Sequence, residues 1–123
     1  MPKKTILCAE DEPLVARQIK SALQRNYDIV EAGDGRTAWV MIGERNPDLV
    51  LADATLPLLS GWDLVRRMNS DPETRGTPII ILIEKDTLFT RLFAKLMGVF
   101  ALVKKPIANS RLQETVKAAL GER

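Results

Sequence analysis

Asn46-Pro47-Asp48-Leu49-Val50-Leu51-Ala52-Asp53 joins a turn to four consecutive apolar residues and closes on a carboxylate. A strand without a polar face needs cover on both sides, and strands of this kind belong to parallel sheets flanked by helices. A second such run, Ile79 to Ile83, follows Pro78. Both stretches therefore predict buried strands of a parallel sheet.

Short apolar runs alternate with longer amphipathic segments on either side of these two strands. The pattern predicts strands over 5–9, 27–32, 49–52, 79–83 and 99–103, and helices over 13–26, 37–44, 62–68, 88–97 and 109–120. We expect Asn109 to cap the last helix and Gly98 to end the fourth. Five repeats of strand and helix predict an α/β fold with a doubly wound, five-stranded parallel sheet and helices on both faces. We expect residues 1–123 to form one domain.

The composition excludes several classes of function. The chain has 18 basic and 16 acidic side chains, and a net charge of +2 argues against direct binding of nucleic acid. Cys8 is the only cysteine, which excludes an internal disulfide and favours a cytoplasmic location. No apolar run is long enough to predict a membrane span. The chain has no histidine, so its chemistry must use carboxylates, lysine, hydroxyls and the backbone.

Charged residues follow three of the predicted strands. The first ends in Glu10-Asp11-Glu12, the third in Asp53, and the fifth in Lys104-Lys105. Because functional crevices of such sheets lie at the carboxyl ends of the strands, we expect these side chains to converge. Clustered carboxylates without histidine or cysteine ligands favour a hard cation such as Mg²⁺. A nearby lysine would neutralise the oxygen of an incoming phosphoryl group.

Four motifs, in order, resemble the receiver domain of two-component response regulators. They are Ala9-Glu10-Asp11-Glu12-Pro13, Pro47 to Asp53, Leu56-Pro57 with Gly61, and Lys105-Pro106. The resemblance extends from about Lys4 to Leu120. Each motif alone is a weak signal, whereas all of them at the spacing of the family are a strong one.

This resemblance implies a role for each residue of the cluster. Asp53 is expected to be the phosphoryl acceptor. Asp11 and Asp53 would bind Mg²⁺ directly with the backbone carbonyl of Thr55, and Glu10 would act through water. Lys105 would contact the phosphoryl group. The chemistry would be in-line transfer to a carboxylate, with the chain acting as an acceptor and not as an enzyme.

The resemblance also implies the architecture and the partners. The strand order would be the flavodoxin-like 2-1-3-4-5, and a cis peptide bond would precede Pro106. The phosphoryl donor would be a histidine kinase or a histidine phosphotransfer protein. The output would be a downstream protein target or a fused output domain.

Three positions depart from the pattern of the family. Ile83 stands where the family has Ser or Thr, Glu84 where it usually has a small residue, and Leu102 where it commonly has Tyr or Phe. In the family, the hydroxyl of the Ser or Thr turns toward the phosphoryl group, and the aromatic ring of the Tyr or Phe then moves inward. Ile83 cannot donate a hydrogen bond, and Glu84 adds a negative charge near a dianion. We therefore expect Asp53 to accept a phosphoryl group in the usual way, and the response of the switch to phosphorylation to be altered.

The predicted fourth helix carries a broad apolar stripe that continues into the fifth strand. We consider two interpretations: an exposed interface, including a homodimer through the fourth helix, fifth strand and fifth helix, or a helix packed more deeply. The candidate interface residues are Leu88, Phe89, Leu92, Phe93, Leu96 and Phe100.

Two further function classes compete with a phosphorylated receiver. A pseudo-receiver would keep the fold and signal through a fixed protein interface. A carboxylate-nucleophile phosphatase is disfavoured, because such enzymes need a second acid two residues after the nucleophile and Thr55 occupies that position.

Overall fold

Five strands and five helices alternate along residues 2–122, the part of the chain that this computed structural model describes. The strands are β1 (Thr5–Ala9), β2 (Asp28–Ala32), β3 (Leu49–Asp53), β4 (Ile79–Ile83) and β5 (Ala101–Lys104). The helices are α1 (Pro13–Leu23), α2 (Gly35–Arg45), α3 (Gly61–Ser70), α4 (Leu88–Met97) and α5 (Asn109–Ala119). The predicted alternation is confirmed.

All strands are parallel and lie in the order β2-β1-β3-β4-β5, as expected. Their registers bring the carboxyl ends level with one another: Ala9 pairs with Ala52, and Ile83 pairs with Lys104. The residues that follow β1, β3 and β5 therefore emerge at one edge of the sheet.

The core has two layers because alternate residues of a strand point to opposite faces. Every residue of β3 and β4 is buried. One layer packs the sheet against α2 and α3, and the other packs it against α1 and α5. Cys8 lies in the second layer and is 1% exposed, and burial raises the pKa of its thiol to about 12. It acts as a small apolar core residue.

One prediction about a helix terminus is wrong. Asn109 is the first residue of α5, and Ala108 occupies the N-cap position. The side chain of Asn109 instead accepts a hydrogen bond from Nε2 of Gln18 at 3.0 Å, which ties α5 to α1. Leu14 is 76% exposed, because only Ile19 and Leu23 of α1 are fully buried in the core.

Helix α4 has the predicted bounds and ends at Gly98, whose φ of 80° suits glycine. Ala94 is its only fully buried residue. The interpretation of a deeply packed helix is therefore wrong. Met97 is half-buried against the core, and the remaining large apolar side chains are exposed: Leu88 by 71%, Phe89 by 79%, Leu92 by 54%, Phe93 by 37% and Leu96 by 87%. None of the described helices is long and apolar enough to cross a membrane.

Gly61 lets the start of α3 approach the end of β3. A Cβ atom at this position would lie 2.5 Å from the backbone oxygen of Asp53. The amide of Gly61 also donates to the carbonyl of Ala54 at 3.2 Å. Because residue 61 has no side chain, the start of α3 can come this close to β3, and this close approach sets the conformation of the loop that follows Asp53.

We expect Gly61→Ala to lower the free energy of unfolding by about 2 kcal/mol, because the new methyl group must displace backbone. Gly43→Ala is the matched control: it lies inside α2, a Cβ there meets nothing within 4 Å, and it should stabilise by about 0.5–1 kcal/mol. Urea denaturation measures both values. Equal effects of the two substitutions would contradict this explanation.

Candidate functional site

Three carboxylates meet at the carboxyl edge of the sheet. Glu10 and Asp11 follow β1, and Asp53 is the last residue of β3. One oxygen of each lies within 4.8 Å of the others. Glu10 and Asp53 are buried, with 4% and 3% exposure, whereas Asp11 is exposed. The structure thus brings together the carboxylates that the sequence placed at one edge.

Lys105 reaches this cluster from the end of β5. Its Nζ donates to Oδ2 of Asp53 at 2.6 Å and lies 3.0 Å from Oε1 of Glu10. Its backbone amide donates to the carbonyl of Ile83 at 2.8 Å, which fixes its position beside the end of β4. The peptide bond between Lys105 and Pro106 is cis, as the resemblance implied. One ammonium group therefore bridges two buried carboxylates.

Asp53 is held in its ionised form. Burial opposes its ionisation, but the ammonium of Lys105 and the amide of Thr55 outweigh burial and keep the pKa of Asp53 below its usual range. The amide and the hydroxyl of Thr55 both donate to Oδ1 of Asp53, at 3.0 and 3.1 Å. The carboxylate is thus charged and oriented at neutral pH, as a nucleophile must be.

Glu10 is affected in the opposite direction. Burial raises the pKa of Glu10 to about 7, although the amide of Glu12 donates to its Oε2 at 3.1 Å and Lys105 lies close. Its Oε1 is buried and accepts no aligned hydrogen bond among the described residues. Oε1 of Glu10 and the ammonium of Lys105 therefore form an ion pair that lacks the geometry of a hydrogen bond. The two carboxylates raise the pKa of Lys105 despite its burial.

The cluster suits a hard divalent cation. Its three ligand groups offer only carboxylate oxygens, which Mg²⁺ prefers. The buried Oε1 of Glu10 has the free lone pairs that a metal-bound water would use. The ligand role of the Thr55 carbonyl and the water-mediated role of Glu10 stay predictions.

Sequence reasoning assigned Thr55 only a backbone carbonyl and missed both of its hydrogen bonds to Asp53. These hydrogen bonds could have been predicted from the local sequence. An Asp side chain commonly accepts a hydrogen bond from the amide two residues later, and Thr at that position adds a hydroxyl donor.

Two of the three positions that depart from the family pattern, Ile83 and Glu84, line the same pocket as Asp53. Ile83 ends β4 and is 5% exposed, Glu84 is exposed, and Leu102 is half-buried in β5. The nearest hydroxyl after β4 belongs to Thr87, which caps α4 by accepting from the amide of Thr90 at 3.1 Å. Thr87 is thus engaged in the fold and does not replace the absent hydroxyl at residue 83.

We expect Glu10→Gln to reduce the pH dependence of stability between pH 5 and 8, measured by urea denaturation in EDTA. The pKa of Glu10 rises from 4.5 to about 7 on folding, so its favourable contribution is complete below 4.5 and is lost as the pH rises through 7. The wild type should lose about 1–2 kcal/mol more than the variant over this range. The pKa of Asp53 is lowered from 3.8, so the titration of Asp53 changes the free energy of unfolding only below pH 5.

Glu73→Gln removes an exposed carboxyl outside the cluster and should keep the wild-type slope. An unchanged slope in Glu10→Gln would contradict the raised pKa of Glu10.

Comparison with known proteins gives consistent results. Residues 6–117 match the family described as the response regulator receiver domain. The response regulator GtcR of Aneurinibacillus migulanus is 33% identical over 121 residues, which cover 94% of this chain and 49% of that protein. Protein PilH of Pseudomonas aeruginosa is 28% identical over 116 residues, which cover 94% of this chain and 96% of PilH. The chain thus spans about half the length of some curated relatives and nearly all of others.

Solved structures support the same assignment. The receiver domain of the sensor histidine kinase PA1611 of Pseudomonas aeruginosa, with a magnesium ion in its active site cleft, superposes with a TM-score of 0.87. It is 26% identical, and the match covers 98% of this chain and 99% of that domain. The family match over most of the chain, the 2-1-3-4-5 sheet and the carboxylate cluster agree: this chain belongs to the receiver domains of two-component signalling.

Proposed function

We propose that this chain accepts a phosphoryl group on Asp53 in the presence of Mg²⁺ and does not act as an enzyme on a separate substrate. One observation carries the proposal. The carboxylate of Asp53 is buried, ionised and paired with Lys105, and the carboxylates of Glu10 and Asp11 stand within metal-ligating distance. A surface aspartate would need none of these partners.

The residues fit the demands of phosphoryl transfer. An oxygen of Asp53 attacks the phosphorus of a phosphohistidine whose other ring nitrogen is protonated, the P–O bond forms as the P–N bond breaks, and neutral imidazole leaves. Lys105, released from part of its contact with Asp53, stabilises a phosphoryl oxygen. The amide and hydroxyl of Thr55 keep the attacking carboxylate oriented.

Glu10, Asp11 and Asp53 would hold the Mg²⁺ ion with the carbonyl of Thr55. When bound, the ion supplies charge neutralisation for the phosphoryl oxygens. The magnesium ion in the cleft of the PA1611 receiver domain supports this assignment, as does the oxygen-only ligand set of this chain.

We propose a histidine kinase or a histidine phosphotransfer protein as the donor, and a downstream protein or a fused output domain as the recipient of the signal. Receiver domains interact with such partners. The near-balanced charge of the chain supports protein partners over direct contact with nucleic acid, and we place its action in the cytoplasm.

A pseudo-receiver is the second candidate, and the switch positions favour it. Ile83 has no hydroxyl and Leu102 has no ring, so phosphorylation at Asp53 lacks the usual relay. The exposed residues of α4, with Phe100 at 47% exposure, offer a surface to a partner or to a second copy through α4, β5 and α5. Such an interface would work without phosphorylation.

Incubation with acetyl phosphate and Mg²⁺, read by intact mass, separates the two candidates. We expect the wild type to gain the mass of one phosphoryl group. Asp53→Asn should gain none, and Asp11→Asn should lose most of the gain because it removes a ligand of the metal. EDTA should suppress the reaction of the wild type.

Glu73→Gln is the control for loss of a carboxyl outside the site, and its mass gain should equal that of the wild type. A wild type that stays unmodified at saturating donor, or an Asp53→Asn variant that is still modified, would refute the acceptor proposal and leave the pseudo-receiver.

Glu84→Ala should increase the initial rate of this reaction about two- to fivefold. The carboxylate of Glu84 is exposed beside the acceptor, and it repels both the anionic donor and the product. The rate is measured from the time course of mass gain, with Glu73→Ala as the charge-matched control. An equal increase in both variants would show an effect of net charge and would contradict a specific role of Glu84.

A further inference from the structure

A cavity of about 450 Å³ opens beside the carboxylate of Asp53, between α3 and α4. Its size lies in the range of small-molecule sites, and its lining combines apolar walls with a few charged groups at the mouth. The metal cluster lies on the β1 side of Asp53, whereas this cavity extends toward α4. We call it the aromatic cavity, after Trp62, Phe89 and Phe93, which form its walls.

The three rings come from two helices. Trp62 of α3 meets Phe93 of α4 edge to face, with ring centroids 5.0 Å apart and planes at 70°. Phe89 precedes Phe93 by one helical turn and lies on the same side of α4. Phe89 is 79% exposed and Phe93 37% exposed, so both rings retain surface for a ligand. The edge of α4 that carries Arg91 and Lys95 faces β5 instead.

The floor of the cavity includes Ile83, the position at which the resemblance called for a hydroxyl. Ala54 adds to this apolar surface. The substitution that removes the usual relay thus also removes a polar group from the floor. The departure at residue 83 therefore has a second consequence, which is a surface suited to an apolar ring.

The carboxylate of Glu84 at the mouth can attract a cation. Glu84 lines the cavity, and its carboxylate makes no ion pair or hydrogen bond within residues 2–122. Lys85 is the opposing charge at the mouth, and Lys105 is already engaged by Asp53 and Glu10. Aromatic faces add to this preference, because their quadrupoles attract cations.

We infer that the aromatic cavity binds a small aromatic amine, with its ring among Trp62, Phe89 and Phe93 and its ammonium group beside Glu84. Burial of the ligand ring against three side chains supplies the apolar contribution. Glu84 supplies selectivity for the positive charge. The site adjoins the acceptor, because Asp53 and Thr55 also line the cavity, but binding requires neither Mg²⁺ nor a phosphoryl group.

The test is an NMR titration of ¹⁵N-labelled, unphosphorylated protein with 2-phenylethylammonium in EDTA. We expect saturable shifts of the Trp62 indole N–H and the Glu84 and Thr90 amides, with a Kd on the order of millimolar. Butylammonium keeps the charge without the ring, and 3-phenylpropanoate keeps the ring with the opposite charge. Each should bind at least about fivefold more weakly.

Variants distinguish the proposed contacts from nonspecific binding of apolar ligands to α4. Phe89→Ser and Glu84→Gln alter exposed side chains and should each weaken binding about three- to fivefold. Leu96→Ser is the matched control, because Leu96 is 87% exposed on the same helix and outside the cavity, and its Kd should equal that of the wild type.

Absence of saturation at tens of millimolar, about ten times the expected Kd, would overturn the inference. So would equal binding of 3-phenylpropanoate, or a loss of binding in Leu96→Ser as large as in Phe89→Ser. The acceptor proposal is tested by mass gain at Asp53, so failure of either proposal leaves the other standing.

Discussion

The contact between Lys105 and the carboxylates of Asp53 and Glu10 is the interaction on which the site depends. It joins the ends of β5, β3 and β1, and it spans the end of β4. The contact exists only because all five strands are parallel and their carboxyl ends are level. It also makes burial of two carboxylates tolerable, since an unpaired buried charge is costly. In the proposed function, the same ammonium would contact a phosphoryl oxygen.

The two carboxylates respond differently to this shared partner. Asp53 receives two donors from Thr55 as well as Lys105, and these hold it ionised. Glu10 keeps one buried oxygen without an aligned donor, and burial raises its pKa. Asp53 is therefore charged before any metal binds, whereas an added cation would favour the charged form of Glu10. This difference assigns distinct roles to neighbouring acids of similar chemistry.

Strand and helix order, the strand-end cluster and the departures at Ile83 and Glu84 were predictable because they depend on local pattern and on parallel topology. Helix ends were less predictable: Asn109 looks like a cap, but its side chain bonds to Gln18, 91 residues away. The exposure of α4 was also undetermined, because an apolar stripe does not reveal whether another element covers it. The aromatic cavity escaped prediction since its walls come from α3 and α4 and meet only in the folded chain.

The proposed function requires that Asp53 itself receives the phosphoryl group. Borohydride reduction of protein treated with acetyl phosphate and Mg²⁺ tests it most directly, because an aspartyl phosphate is reduced to homoserine and can be located by peptide mass spectrometry. We expect homoserine at residue 53, no homoserine at Asp11, and no 5-hydroxynorvaline, the reduction product of a glutamyl phosphate, at Glu10 or Glu12. Homoserine at another position, or an unreduced Asp53 in protein that has gained phosphoryl mass, would contradict it.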